Sequence, residues 1–188
     1  MEKLVIASEN KGKIREFKEI LGDKYEILSL ADVGFNGEID EKYDTFEENS
    51  YIKAKTVYDY TGLSVLADDS GLVVPSLNGE PGVKSARYAG NHDMQANKKK
   101  LLEKLNGKDR KAYFVCCITM ITKDKNICVF GKTEGEILFE ERGTGGFGYD
   151  PLFYSYDLKK CFGECSDEEK NSVSHRARAI QELLKAIK

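Results

Sequence analysis

The chain has 188 residues, with 29 Lys and Arg against 32 Asp and Glu and a formal net charge of -3. A hydrophobic fraction of 40% is enough for one substantial core, and 32% charged residues suit a wetted surface. The slightly acidic balance argues against a nucleic-acid coat, which would be basic. No apolar run is long enough for a transmembrane helix. The opening MEKLVIASEN is too short in apolar residues for a secretory signal, so a cytoplasmic location is expected. The five cysteines (Cys116, Cys117, Cys128, Cys161 and Cys165) are odd in number and match no zinc spacing; His92 and His175 stand apart from them. Reduced thiols follow, with Cys116 and Cys117 on opposite sides of a strand.

In chain order, LVIA at 4–7 reads as a buried strand and SENKGK as a polar turn. Ile14, Phe17, Ile20 and Leu21 then recur at helical spacing through 12–21. Thr45 and Glu48 have capping-box spacing ahead of a helix that runs to about Tyr60, with Gly62 as its stop. LSVLA at 63–67 is a strand that ends in DDSG, and LVVPSL resumes extended structure. Asp93 caps a helix bearing Leu101, Leu102 and Leu105 that stops at Asn106-Gly107. Residues 111–122 form the longest strand candidate, and ICVFGKTEGEILF returns as one or two more. GTGGFG at 143–148 breaks regularity, and Ser174 precedes a helix with Ala177, Ile180, Leu183, Leu184 and Ile187 on its apolar face. Helices mixed with a central block of strands indicate an α/β fold with a mixed sheet, in a single domain over 1–188. Two lobes with a substrate cleft between them are expected, because pockets favour such places.

Five segments carry chemistry. Ser8-Glu9-Asn10-Lys11-Gly12-Lys13, between strand and helix, offers hydroxyl, amide and ammonium groups at a helix N-terminus, where anions bind; it is not a Walker motif, and an ordinary capped helix is the alternative. Asp68-Asp69-Ser70-Gly71 places two carboxylates at a strand end. Adjacent strand side chains point apart, so one carboxylate can meet a hard cation such as Mg²⁺ or a water while the other anchors the loop; an Asx turn is the plainer account. The acidic stretch from Glu38 to Glu48 can complete a metal site or be a solvated loop, and Asn49 and Lys53 share one helix face. Around Phe147, Gly148, Tyr149 and Asp150, a glycine-rich loop presents two aromatic rings able to stack on a base or to plug a core. Lys170 stands ahead of Ser174-His175-Arg176, whose positive charge in a first helical turn opposes the helix dipole and invites an anionic or carbonyl-rich ligand.

Taken in this order, SENKGK, TFEENSYIKA, LADDSGLVV, PGVKSARYAG, GTGGFGYDPLF and SDEEKNSVSHRA resemble the Ham1-like inosine/xanthosine triphosphate pyrophosphatase family over essentially the whole chain. The resemblance implies an elongated mixed α/β fold of two lobes, a homodimer, Mg²⁺ dependence, and hydrolysis of ITP, dITP and XTP to the monophosphate and pyrophosphate. It implies that Asp69 is proton acceptor and metal ligand, and that Asp40 falls at the second metal ligand, with Glu41 as the fallback. Substrate contacts would come from Ser8 to Lys13, with Lys13 at phosphate, and from Ser70. Phe147 to Asp150, Lys170, His175 and Arg176 would lie near the base. Lys53 is read as a further phosphate contact, and Arg176, which can only donate, as a reader of the C6 carbonyl. The apolar run 111–122 and PGVKSARYAG are candidate dimer surfaces. The rival readings are a Maf-like pyrophosphatase and a nucleotide- or RNA-binding protein without turnover.

Overall fold

The computed structural model describes residues 1–188. Its seven strands form one mixed sheet in the order β2-β1-β3-β4-β5-β6-β7. The chain divides into two compact units. Unit 1 comprises Met1–Asp69, Cys116–Gly131 and Arg176–Lys188; unit 2 comprises Ser70–Val115 and Lys132–His175. Strands β3 (Ser64–Val73), β4 (Lys111–Ile121) and β5 (Asn126–Ile137) each contribute residues to both units. None of the helices is long and apolar enough to cross a membrane.

In unit 1, β1 (Glu2–Ile6) pairs in parallel with β2 (Tyr25–Leu28) on one side and with β3 on the other. Parallel neighbours need a crossover, and α1 (Lys11–Leu21) and α2 (Phe46–Thr61) supply it. Both faces of this half of the sheet are covered. Leu4, Ile6, Leu66, Cys116 and Ile118 pack with Phe17 and Leu21 of α1 and with Ala179, Ile180 and Leu183 of α5 (His175–Ala186). Val5, Ala7, Val65 and Ala67 face the other way, against Ala54 and Val57 of α2. Double coverage explains why these strands read as apolar runs and not as alternating patterns. Cys116 joins the α1 side, while Cys117 meets Ser50 of α2. The two thiols thus face opposite ways, and all five cysteines are free.

Unit 2 has its own core of Leu72, Val74, Leu101, Leu105, Phe114, Tyr149, Leu152, Phe153 and Phe162. It holds α3 (Met94–Lys104), capped by Asp93 as its sequence predicts, the short antiparallel strands β6 (Phe153–Ser155) and β7 (Lys160–Cys161), and α4 (Asp167–Val173), which a Ser166–Glu169 capping box opens.

Several expectations change. DDSG is not a loop: β3 runs unbroken from Ser64 to Val73, so both aspartates are strand residues. The segment ICVFGKTEGEILF gives a single strand that ends at Ile137, as one of its two readings allows, and β2, β6, β7 and α4 are too short to be seen in the sequence. The run 111–122 is an interior strand between β3 and β5, with Ile118 and Met120 in the core, Lys111 exposed, and Tyr113 and Val115 half-buried. In PGVKSARYAG, Ser85 and Tyr88 are buried while Lys84, Ala86, Arg87, Ala89 and Gly90 are exposed, and Asn97 holds the segment by accepting from Ala89 N at 2.7 Å and donating to Ala86 O at 3.0 Å.

Ile180 is fully buried beneath the unit 1 sheet. Ile180→Ala is expected to cost about 2–5 kcal/mol in urea unfolding, because the packed site cannot collapse fully around the lost atoms.

Candidate active site

In unit 1, α1 begins at Lys11 because Asn10 caps it: the Asn10 side-chain oxygen accepts from Lys13 N at 3.1 Å. Asn10 N donates to Ser8 Oγ at 3.1 Å. Ser8 and Asn10 therefore shape the loop, while Glu9 and Lys11 are exposed and Gly12 is half-buried. The Lys13 side chain turns inward, its Nζ 3.2 Å from Asp68 Oδ2.

Asp68 is 1% exposed and Asp69 6%. As strand neighbours they point apart and meet different partners. Asp68 Oδ2 lies 3.6 Å from Arg176 Nε and accepts from the Cys116 thiol at 3.7 Å. Arg176 is itself buried against Glu16 of α1 and sits over the Phe17 ring at 5.8 Å. Burial works against its charge, yet Glu16 and Asp68 outweigh burial and hold the guanidinium firmly protonated.

Asp69 has a different setting. Its Oδ2 is buried with no hydrogen-bond partner. Burial raises its pKa from 3.8 to about 6; Lys53 and Lys13 pull it down, while Glu41 and Asp68 push it up. Lys53, on α2, is also buried and pairs with Glu41. Burial alone would depress Lys53, but Asp68, Glu41 and Asp69 together raise it. Glu41 is held in place locally: Asn49 accepts from Tyr43 N at 3.1 Å and donates to Tyr43 O at 3.0 Å. Ser50 Oγ, one turn before Lys53, meets Thr119 Oγ1 of β4 at 2.7 Å and bolts α2 to the sheet.

Unit 2 carries a second polar cluster. The loop around Gly145–Asp150 folds on its own aspartate: Phe147 N donates to Asp150 Oδ2 at 2.9 Å, and Lys170 Nζ donates to the same atom at 2.7 Å. Asp150 and Lys170 are both buried. The ammonium lies 4.6 Å from the centre of the half-buried Phe147 ring, a cation–π contact. Gly146 has φ +66° and a Cβ there would stand 2.1 Å from Asp150 Oδ2, so only glycine fits. His175 is buried, its ring stacked 4.9 Å from Phe114 at 18°. Ser70 and Gly148 are half-buried.

Three expected site residues have settings that their spacing did not show. Asp40 is not brought to Asp69: its side chain is 75% exposed, 4.0 Å from Lys42, and Glu41 is the carboxylate that acts on Asp69. The buried ammonium of Lys53 draws Glu41 inward, which the spacing did not reveal. Tyr149 is a core residue whose hydroxyl donates to Ser85 O at 2.6 Å, so its ring is not free to stack on a base. Arg176, expected to read the C6 carbonyl, is buried and pairs with Glu16 and Asp68. Asp68 is the anchoring member of the carboxylate pair, and Glu16 had not been singled out. Glu16 sits one residue before Phe17, on the buried side of a helix, and a charge so close to the apolar stripe was the available signal.

The Ham1 family model matches residues 4–186, and the chain belongs to the Ham1 family. It is 48% identical over 189 residues to the dITP/XTP pyrophosphatase of Bacillus licheniformis, covering 97% of this chain and 96% of that protein. Among solved structures it is similar to the Staphylococcus aureus Ham1 protein (TM-score 0.88, 43% identity, 100% of both chains) and to a HAM1 protein from Coxiella burnetii (TM-score 0.89, 38% identity, 100% of this chain and 98% of that one).

The raised pKa of Asp69 has a consequence for stability. Between about pH 4 and 6 the folded protein holds a proton on Asp69 that the unfolded chain has lost, so this group subtracts stability as pH rises through that window. Asp69→Asn is expected to be more stable than wild type at pH 7 by about 1–3 kcal/mol in metal-free buffer, the gap narrowing toward pH 4. Urea unfolding at both pH values checks this; a gap that is absent or independent of pH would contradict it. Arg176→Ala, by contrast, takes the guanidinium away from two buried carboxylates and should cost about 3–5 kcal/mol.

Proposed function

We propose that this protein hydrolyses non-standard purine nucleoside triphosphates (ITP, dITP and XTP) to the monophosphate and pyrophosphate. The observation that carries the reading is Asp69: a buried carboxylate with one unpartnered oxygen, poised near neutral pH, with two lysines acting on it. A general base works best when its pKa lies near the working pH. The sequence relatives named dITP/XTP pyrophosphatase support the same substrate class.

On resemblance to the family, Asp69 and Glu41, whose charge acts on Asp69, are the hard oxygen donors that would hold Mg²⁺. When bound, the ion neutralises phosphate charge and lowers the pKa of coordinated water. Lys13 and Lys53 hold the phosphate chain as point charges. Asp69 takes a proton from the water that attacks the α-phosphorus, and pyrophosphate leaves. At the base, Phe147 provides a flat ring backed by the Lys170 ammonium. A C6 carbonyl needs a donor where adenine offers an amino group, so ATP is disfavoured. A homodimer in the cytoplasm completes the reading, on resemblance to the family.

The test is incubation with ITP, dITP, XTP, GTP and ATP plus Mg²⁺, with product identification. Release of pyrophosphate from the first three, and much less from ATP, is expected; orthophosphate with a diphosphate product would refute the α-phosphorus assignment. Asp69→Asn should lower kcat by about 10²–10⁴-fold or more while the fold survives. Glu41→Gln should raise the Mg²⁺ concentration needed for half-maximal rate, and Asp40→Asn should leave it near wild type.

A further inference from the structure

In unit 1 four charges alternate along a buried chain: Glu16, Arg176, Asp68, Lys13. They come from three elements. Glu16 and Lys13 are three residues apart on one face of α1, Asp68 is on β3 and Arg176 on α5. The charges sum to zero. Three of the four side chains are at most 4% exposed, and only Lys13, at 16%, reaches solvent. The chain thus ends in a single accessible ammonium.

We propose that Asp68 is a positioning residue that presets the Lys13 ammonium for a polyphosphate, with Glu16 and Arg176 fixing Asp68 from behind. This rests on Lys13 serving the phosphates. Asp68 is too buried to meet a substrate itself. A lysine side chain carries about 2 kcal/mol of rotamer entropy, which a binding partner must otherwise overcome. With Nζ already 3.2 Å from Asp68 Oδ2, that ordering is complete before the ligand arrives. The Arg176 guanidinium, its Nε 3.6 Å from Asp68 Oδ2, forms an ion pair that opposes the carboxylate following Lys13 outward when an anion draws on the ammonium. The two adjacent aspartates then divide the work by strand geometry: Asp68 orders a cation and Asp69 faces the reaction.

The test is a double-mutant cycle over wild type, Asp68→Asn, Lys13→Met and the double variant, read as kcat and KM for ITP. Asp68→Asn should reduce kcat/KM about tenfold or more. The double variant should be no worse than Lys13→Met alone, because Asp68 acts through that ammonium. An equal loss from Asp68→Asn in both backgrounds would assign Asp68 to the fold, and no loss in wild type would deny it any role; either overturns the proposal. Should Asp68→Asn not fold, Asp68→Glu keeps the charge against Arg176, displaces it by one methylene and enters the same cycle with the same criteria. The same four proteins are also titrated with inorganic tripolyphosphate in metal-free buffer. If wild type does not hydrolyse ITP, the functional reading fails, and the Kd cycle for tripolyphosphate still decides whether Asp68 works through Lys13.

Discussion

Two carboxylates, adjacent in sequence, are both withdrawn from water on β3, and most of unit 1 is arranged to make that tolerable. A buried charge is costly unless it is paired. Asp68 is paired by the Lys13 ammonium and the Arg176 guanidinium, which tie α1 and α5 to the strand. Asp69 has no such close ion pair and is balanced by the fields of Lys53 and Lys13, while burial raises its pKa. The pleat of the strand enforces this division, since neighbouring side chains leave opposite faces.

The same pattern of commitment recurs in unit 2. Asp150 gathers the Phe147 amide and the Lys170 ammonium on one oxygen and so shapes a loop that glycine alone could enter at position 146. Lys170, Asp150 and Tyr149 are therefore spent on the loop and core, and Phe147 is the ring left partly open. In both units the residues that look most reactive in the sequence are often those that hold another residue still. Preorganisation of this kind places the cost of ordering in folding and not in ligand binding.

Asp69 also illustrates why a site of this type is not optimised for stability. Its raised pKa means that the ionised form, the one the proposed base catalysis would use, is the form the fold disfavours. A neutral amide at that position would relieve the strain and end the chemistry, the usual conflict between an active site and its scaffold.

The sequence by itself determined the elements with strong periodicity and clear caps: α1, α2 with Thr45, α3 with Asp93, α5, and the apolar runs of β1, β3 and β4. It determined the family through motifs in series, and with it Asp69, Lys13 and Lys53 as candidates. These are local signals, legible because hydrophobic period and capping chemistry act over a few residues. Strands β2, β6 and β7 were not legible, being short and stabilised by their neighbours in the sheet. Only the tertiary structure decided which polar side chains face one another. It paired Glu41 with Lys53, sent the Tyr149 hydroxyl to Ser85, and paired Arg176 with Glu16 across 160 positions of chain. Burial and long-range charge pairing depend on where the whole chain goes, and no local pattern encodes that.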